Sequence, residues 1–179
     1  MKRLVCIGIA FMLSGCADTH SLVRQNQGVV PKLSTSDSFY ISVSMDGIYG
    51  SEKYEGSGAS LSQIILSPLA KKVRRVETGR AYQSYDEALL SANTRGYKYL
   101  VYPSILHWEN HATEWNGIPD TVEVKIQIVE AATDKLIDAA IINGVSGLAT
   151  FGGDEPQNLL PVPVEEFISS LLGREINHE

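Results

Sequence analysis

Cysteine is nearly absent from this chain, whose 179 residues include only Cys6 and Cys16. Both lie within the first sixteen positions, so the rest of the sequence carries no thiol. That absence excludes a disulfide framework, a cysteine nucleophile and a thiolate zinc site from the remainder of the chain. Whatever folds there must be held together by its hydrophobic core alone.

Long hydrophobic runs are also missing. The N-terminal apolar stretch covers only about ten residues, 4–13, whereas a helix needs about 20 to cross a hydrocarbon layer of roughly 30 Å. The stretch follows Lys2 and Arg3 and precedes two small residues, which is the pattern of a secretory signal peptide. We therefore expect residues 1–15 to be a signal peptide rather than a membrane-spanning or core helix.

The segment that ends the apolar stretch, residues 13–16 (LSGC), resembles the lipobox of bacterial lipoproteins. The resemblance implies that Cys16 is lipidated and becomes the new N-terminus, and the three acyl chains of such a protein anchor it stably. An ordinary signal peptide with an incidental cysteine is the alternative, and Leu13 argues against it. Ala17 follows where aspartate would favour the inner membrane. We therefore expect a lipid-anchored outer-membrane protein that faces the periplasm.

Basic residues are fewer than acidic residues in this sequence. The chain has 15 basic and 21 acidic residues, a net charge of −6, and without Lys2 and Arg3 the net charge is about −8. Basic surfaces supply most of the affinity for phosphate backbones, so we expect no nucleic-acid partner. An anionic membrane surface would repel the body of the protein, and an acidic surface usually serves solubility.

Composition divides the remaining sequence into three parts. Polar residues, Gly28, Pro31 and a serine- and threonine-rich cluster predict a flexible tether that follows Cys16 and extends to residue 37. A single periplasmic domain is expected over residues 38–173, followed by a polar tail over 174–179. The domain is of ordinary size for one hydrophobic core.

Periodicity predicts the elements of this domain. Apolar and polar residues alternate over residues 39–45 and 121–130, which predicts strands. An apolar stripe at helical spacing predicts a helix over 61–73, in which Pro68 either causes a kink or starts a second segment capped by Ser67. The other predicted elements are a short edge strand near residue 76, a helix over 84–95 that opens with a Ser84–Glu87 capping box, a central strand over 97–108, a hairpin strand over 136–145 and a helix over 164–172. The order β-α-β-α-β-β-β-α predicts an α/β fold, a single mixed-sheet layer domain with a late antiparallel hairpin.

Several motifs in these elements resemble known families. Residues 95–101 (RGYKYLV) and 131–136 (AATDKL) resemble the periplasmic domain shared by curli-secretion lipoproteins, the N-terminal domain of the Tol-system propeller protein and lipoprotein activators of penicillin-binding proteins. A closer likeness, carried by residues 84–88, 102–109 and 147–153, is to small proteobacterial lipoproteins of unknown function. The resemblance implies a lipoprotein with an α/β domain, and it implies no activity because fold alone does not define function.

A metal site is the strongest chemical hypothesis in the sequence. His107, Glu109 and His111 occupy alternate positions at a predicted strand end, so their side chains are expected on one face. Two imidazoles and a carboxylate are ligands that zinc accepts, although the spacing is not that of the HExxH metalloproteases. The alternative interpretation is a polar strand end that enters a loop. We expect no cofactor, and a metal-dependent hydrolase stays the least favoured hypothesis.

Aromatic residues mark the most plausible recognition surface, because exposed tyrosine and tryptophan are common in interfaces. Four of those in predicted loops or strand ends form the candidate partner site: Tyr49, Tyr54, Trp108 and Trp115. Burial beneath the loops is the alternative for each of them. No Gly-x-Ser-x-Gly motif or phosphate-binding loop is present. The sequence therefore predicts a non-enzymatic lipoprotein that binds an envelope protein or its own copies. A module that binds a small ligand or peptidoglycan is the alternative.

Overall fold

The computed structural model describes residues 18–26, 32–111, 118–147 and 155–172. Eight strands, three α-helices and one short 3₁₀ helix follow one another along these residues. The elements are β1 (Thr19–Arg24), β2 (Ser38–Val43), β3 (Gly47–Tyr49), β4 (Glu52–Tyr54), α1 (Ser57–Ala70), β5 (Arg75–Tyr82), α2 (Tyr85–Thr94), β6 (Tyr99–Glu109), β7 (Thr121–Glu130), β8 (Lys135–Val145), the 3₁₀ helix (Pro156–Leu159) and α3 (Pro161–Leu171). Among them, no helix combines the length and the apolar character needed to span a bilayer.

Six strands form one mixed sheet in the order β1-β8-β7-β6-β2-β5. β2 runs parallel to both β5 and β6, whereas β6, β7, β8 and β1 pair antiparallel in succession. β3 and β4 form a separate antiparallel hairpin. The predicted mixed α/β fold with a late hairpin is confirmed, and β6 is central and β5 is an edge strand, as predicted.

One face of the sheet forms the main core. Every second residue of β7, from Val122 to Ile128, points into this core, where α1 and α3 cover the sheet. Leu61 and Ile65 of α1 and Phe167 of α3 are fully buried there. Pro68 lies in the last turn of α1, which ends at Ala70 instead of continuing beyond a kink. The alternation in β7 and the helical stripe in α1 meet because both elements bury one apolar side.

The opposite face of the sheet is covered by α2. The predicted capping box is present, since Ser84 accepts from the backbone of Glu87 while the Glu87 carboxylate accepts from the backbone of Ser84. Ala88 and Ala92 of α2 are fully buried and belong to a second, smaller core with Leu100 of β6. The β7 and β8 side of this face has no helix among the described residues.

The structure corrects the predicted tether between residues 16 and 37. Thr19–Arg24 forms the edge strand β1, which pairs with β8 and extends the sheet by one strand. Leu33 is only 3 % exposed, and its backbone N–H donates to the carbonyl of Leu171. The polar composition predicted a coil here, but β8 offers an open edge, and Leu22 reaches the core from β1.

Candidate functional site

A β-bulge at the end of β6 sets the geometry of the predicted histidine cluster. Ile105 pairs with Val124 and His107 pairs with Glu123, so Leu106 is the extra residue. Without that extra residue, His107 would point into the main core. The bulge places His107 and Glu109 on the outer face of the sheet, and it turns Trp108 between them toward the core.

His107, Glu109 and Thr121 form a closed triangle on this outer face. His107 Nε2 lies 3.0 Å from Glu109 Oε2 and 3.1 Å from Thr121 Oγ1. The hydroxyl of Thr121 donates to the same carboxylate oxygen at 3.0 Å. Because Thr121 pairs directly with Glu109 across the strands, backbone pairing brings these groups together.

His111 adds a second imidazole on the other oxygen of Glu109. Its Nε2 lies 2.8 Å from Glu109 Oε1, without the alignment of a hydrogen bond. The backbone N–H of His111 donates to Asp120 Oδ1 at 2.6 Å, and the backbone N–H of Asp120 donates to Ser146 Oγ at 2.8 Å. Together these bonds tie the ends of β6, β7 and β8 into one network, which we call the His–Glu cluster: His107, Glu109, His111, Asp120, Thr121 and Ser146.

The β3–β4 hairpin packs against the His–Glu cluster through Tyr49. Its ring stands edge-on to the His107 ring with 5.2 Å between the centroids. The hairpin can approach because Gly47 lies against Trp108, where an added Cβ would come within 2.6 Å of the tryptophan Cβ. A side chain at position 47 would therefore push the hairpin off the sheet.

Electrostatics keep Glu109 ionised. Burial by itself would raise its pKa, but hydrogen bonds from His107, Tyr49 and Thr121 act in the opposite direction and outweigh it. With the nearby His111 they lower the pKa of Glu109 to about 2. The same interaction with Glu109 raises the pKa of the Tyr49 hydroxyl. Glu109 is thus a fixed anion at neutral pH, which is unsuited to donating a proton.

The predicted metal ligands do come together, but they bind one another. Nε2 of each imidazole already contacts an oxygen of Glu109, so a zinc ion would have to break both contacts. Across the described part of the chain, no group of three or more His, Cys, Asp and Glu side chains is arranged to hold a metal. What the cluster does in this arrangement is join three strand ends.

The four aromatic residues predicted to bind a partner have different environments. Tyr49 is 43 % exposed, whereas Trp108 is 2 % exposed and belongs to the main core. Trp108 is therefore corrected from a contact residue to a packing residue, because the bulge turns it inward. Tyr54 is half-buried, and its hydroxyl accepts from the backbone N–H of Asn110 at 3.3 Å. Trp115 and the predicted lipidation site Cys16 lie outside the described residues.

Two features of this end of the sheet were not found by sequence reasoning. Asp120 and Ser146 are buried polar residues that hydrogen-bond to each other between the start of β7 and the end of β8. Their positions at predicted strand ends were the sole sequence signal for this contact. An open groove of about 370 Å³ lies between the start of α1 and the end of β6. It is lined by Tyr54, Glu55, Gly56, Ser57, Ser60, Trp108, Asn110, Glu155 and Gln157.

The fold and the site define the class of protein. It is a single mixed-sheet α/β domain in which a polar cluster connects the ends of three strands. Within that class, the chain belongs to the family described as Domain of unknown function (DUF4823), whose family model matches residues 31–171. The resemblance to a family without an assigned function, predicted from the sequence motifs, is confirmed. No curated protein matches the chain.

Solved structures with a similar fold include the PelC dodecamer from Paraburkholderia phytofirmans. It is 13 % identical, with a TM-score of 0.68, over 88 % of this chain and 100 % of PelC. Lipoprotein GNA1162 from Neisseria meningitidis is 12 % identical with a TM-score of 0.47, over 75 % of this chain and 96 % of that one. The LpoB C-terminal domain from Salmonella enterica is 16 % identical with a TM-score of 0.40, over 65 % of this chain and 85 % of that one. The PelC likeness establishes the fold.

Proposed function

We propose that this protein is a non-enzymatic lipoprotein of the outer membrane, anchored through Cys16, whose periplasmic domain associates with copies of itself or with another envelope protein. The lipid anchor is proposed from the LSGC segment. This segment ends a short apolar stretch that follows two basic residues. The sequence after Cys16 contains no further cysteine, and Cys6 lies within the proposed signal peptide.

The state of the His–Glu cluster supports a role without catalysis. Glu109, whose carboxylate lies between the two imidazoles, is held as an anion with a pKa of about 2. A general acid or base works best with a pKa near the operating pH, and a zinc ligand set needs donor atoms directed at a common point. Neither condition fits side chains that are bound to one another.

The fold shared with PelC supports self-association, because PelC is a dodecamer and the likeness extends over its whole chain. The sheet also ends in two edge strands, β1 and β5, that have no further partner strand among the described residues. Unpaired backbone groups on an edge strand can pair with a second chain. We therefore favour copies of this chain as the first partner to test.

Metabolic labelling with palmitate tests the anchor. The wild type and Cys6→Ser, which changes only the signal peptide, should incorporate label and fractionate with the outer membrane. Cys16→Ser should incorporate none and should no longer fractionate there. An unlabelled wild type, or a Cys16→Ser variant that keeps both label and membrane fraction, would refute the lipoprotein assignment.

Cross-linking in intact cells, followed by light scattering of the lipoprotein purified in detergent, tests self-association. We expect discrete cross-linked species larger than the monomer, and a molar mass that is a multiple of the chain mass. A monomer at every concentration, with a different envelope protein in the cross-linked species, would replace self-association by a hetero-complex. A monomer with neither product would refute both forms of the proposal.

A second candidate function rests on the groove between the start of α1 and the end of β6. Its volume of about 370 Å³ and its Tyr54, Asn110 and Gln157 lining suit a small polar ligand or a fragment of peptidoglycan. Purified sacculi should then retain the lipoprotein, and Tyr54→Ala should weaken retention more than Tyr82→Ala, which alters an exposed tyrosine on β5. Equal retention of both variants would argue against the groove.

A further inference from the structure

The folded domain begins almost immediately after the proposed lipid anchor. The carboxylate of Asp18 accepts from the backbone N–H of Gly147 at 2.9 Å, and Thr19 pairs with Val145 at the end of β8. Asp18 is therefore fixed to the same end of the sheet where β8 ends and β7 begins. We call this the anchor end of the domain.

Covalent geometry limits the distance between the anchor and this end. Cys16 and Asp18 are two positions apart, and two residues span at most about 7 Å even when fully extended. A tether of twenty residues would let the domain move freely above the membrane, but β1 begins at Thr19, only three positions after Cys16. The lipidated residue itself would consequently lie within about 7 Å of Asp18.

Apolar side chains surround the point where the chain enters the fold. Val145, which pairs with both Thr19 and Thr121, is 36 % exposed, and Ile118, three residues before Thr121, is 54 % exposed. Val162 in the first turn of α3 is 59 % exposed. α3 lies beside β1, because Glu166 of its next turn is 3.7 Å from His20.

We propose that the anchor end lies against the lipid bilayer, with Ile118, Val145 and Val162 in contact with the membrane interface. This inference rests on the proposed lipidation of Cys16. We assign lipid as the partner of this surface, because the short connection to Cys16 leaves no room for a protein between the acyl chains and the anchor end. Interfacial contact of exposed apolar side chains adds to the hold of the covalent lipid.

Charge does not drive this orientation, because a group of basic residues lies at the opposite end of the domain. Three basic residues follow the last turn of α1 at that end: Lys71, Lys72 and Arg74. β8 has 11 residues, so about 35 Å separate its two ends. Asp18 and Glu123 give the anchor end an acidic character, so the contact must be imposed by the covalent anchor rather than by attraction to anionic lipids.

Fluorescence quenching by lipids with brominated acyl chains tests this orientation. The lipidated thiol cannot react, so one added cysteine can carry an environment-sensitive dye. Val145→Cys and Leu136→Cys form a matched pair, because both positions are exposed apolar residues at opposite ends of β8. The lipoproteins are reconstituted in vesicles of phosphatidylethanolamine with a minority of phosphatidylglycerol. We expect several-fold stronger quenching at position 145, and Ile118→Cys should repeat that result.

A linker variant separates the orientation from the anchor itself. Insertion of about twenty glycine and serine residues between Ala17 and Asp18 should keep the protein on floating vesicles but reduce quenching at position 145 to the value at position 136. Equal quenching at the two positions in the original chain, or unchanged quenching after insertion, would overturn the inference. Failure of the protein to float would refute the lipidation as well, and flotation thereby distinguishes the two failures.

Discussion

Replacement of Glu109 by glutamine removes the charge at the centre of the His–Glu cluster while nearly preserving its shape. The pKa of Glu109 is about 2, against an ordinary value of 4.5, and its side chain is 15 % exposed. Lowering the pKa of a carboxyl group from 4.5 to about 2 corresponds to about 3 kcal/mol in favour of its ionised form. Solvent reaches the cluster through His107, which is 38 % exposed, so we expect Glu109→Gln to lower the free energy of unfolding by about 2–3 kcal/mol at pH 7.

The pH dependence of this loss gives a sharper test than its size. The pKa of Glu109 is depressed in the folded state, so its stabilising effect is complete above about pH 4.5 and disappears as the pH falls through about 2. The difference between wild type and Glu109→Gln should therefore fall to about half by pH 3. Urea denaturation of a soluble form that starts at residue 17, followed by the fluorescence of the buried Trp108, measures it.

The control for this experiment is Glu52→Gln, which removes the charge of an exposed glutamate on β4. We expect it to change the free energy of unfolding by less than about 0.5 kcal/mol at every pH. A loss for Glu109→Gln that does not vary between pH 7 and pH 3, or that equals the loss in the control, would refute the ionic account of the cluster.

Three further substitutions test the packing of the fold by the same urea assay. Arg24→Ala should cost about 3–5 kcal/mol, because Arg24 Nη2 lies 2.6 Å from Asp138, whose carboxylate is fully buried and would lose its counter-ion. Gly58→Ala should destabilise the protein by at least about 1–3 kcal/mol, because the new Cβ would lie 2.2 Å from the carbonyl oxygen of Ser44. Ser84→Ala should cost about 1 kcal/mol through loss of the helix cap, and hydrogen exchange should show faster fraying at the start of α2.

Exposed residues of the same types serve as controls for two of these changes. Arg80→Ala on β5 and Ser21→Ala on β1 should each change stability by less than about 0.5 kcal/mol. An Arg24→Ala loss no larger than that of Arg80→Ala would mean that Asp138 finds another partner. A neutral Gly58→Ala would mean that α1 can move away from β2 at no cost.

The elements that sequence patterns predicted well are those whose own residues determine which side is buried. β7 was predicted at its observed bounds because four apolar residues alternate with polar ones, and a buried face fixes such a register. The start of α2 followed from the Ser84–Glu87 capping box, which is a local interaction. The common face of His107 and Glu109 also followed from strand periodicity.

The elements that escaped prediction depend on distant partners. β1 has a polar, exposed sequence, and it forms because the edge of β8 is available for pairing. The residues of Thr19–Arg24 alone do not indicate that such an edge exists. The β3–β4 hairpin likewise depends on Gly47 packing against β6. Trp108 was expected in a recognition surface, but an extra residue at Leu106 reverses the alternation just before it, and bulges have no signature in a single sequence.

The pairing of the first strand with the last one also limits the order in which the sheet can form. Thr19 meets Val145 after about 120 intervening residues, and contacts of such separation form slowly because a large loop must close first. If the chain is secreted N-terminus first, as proposed, β1 stays without a partner strand until β8 has also emerged. Any protein that binds the N-terminal segment during that interval would compete with β8 for the same edge of β1.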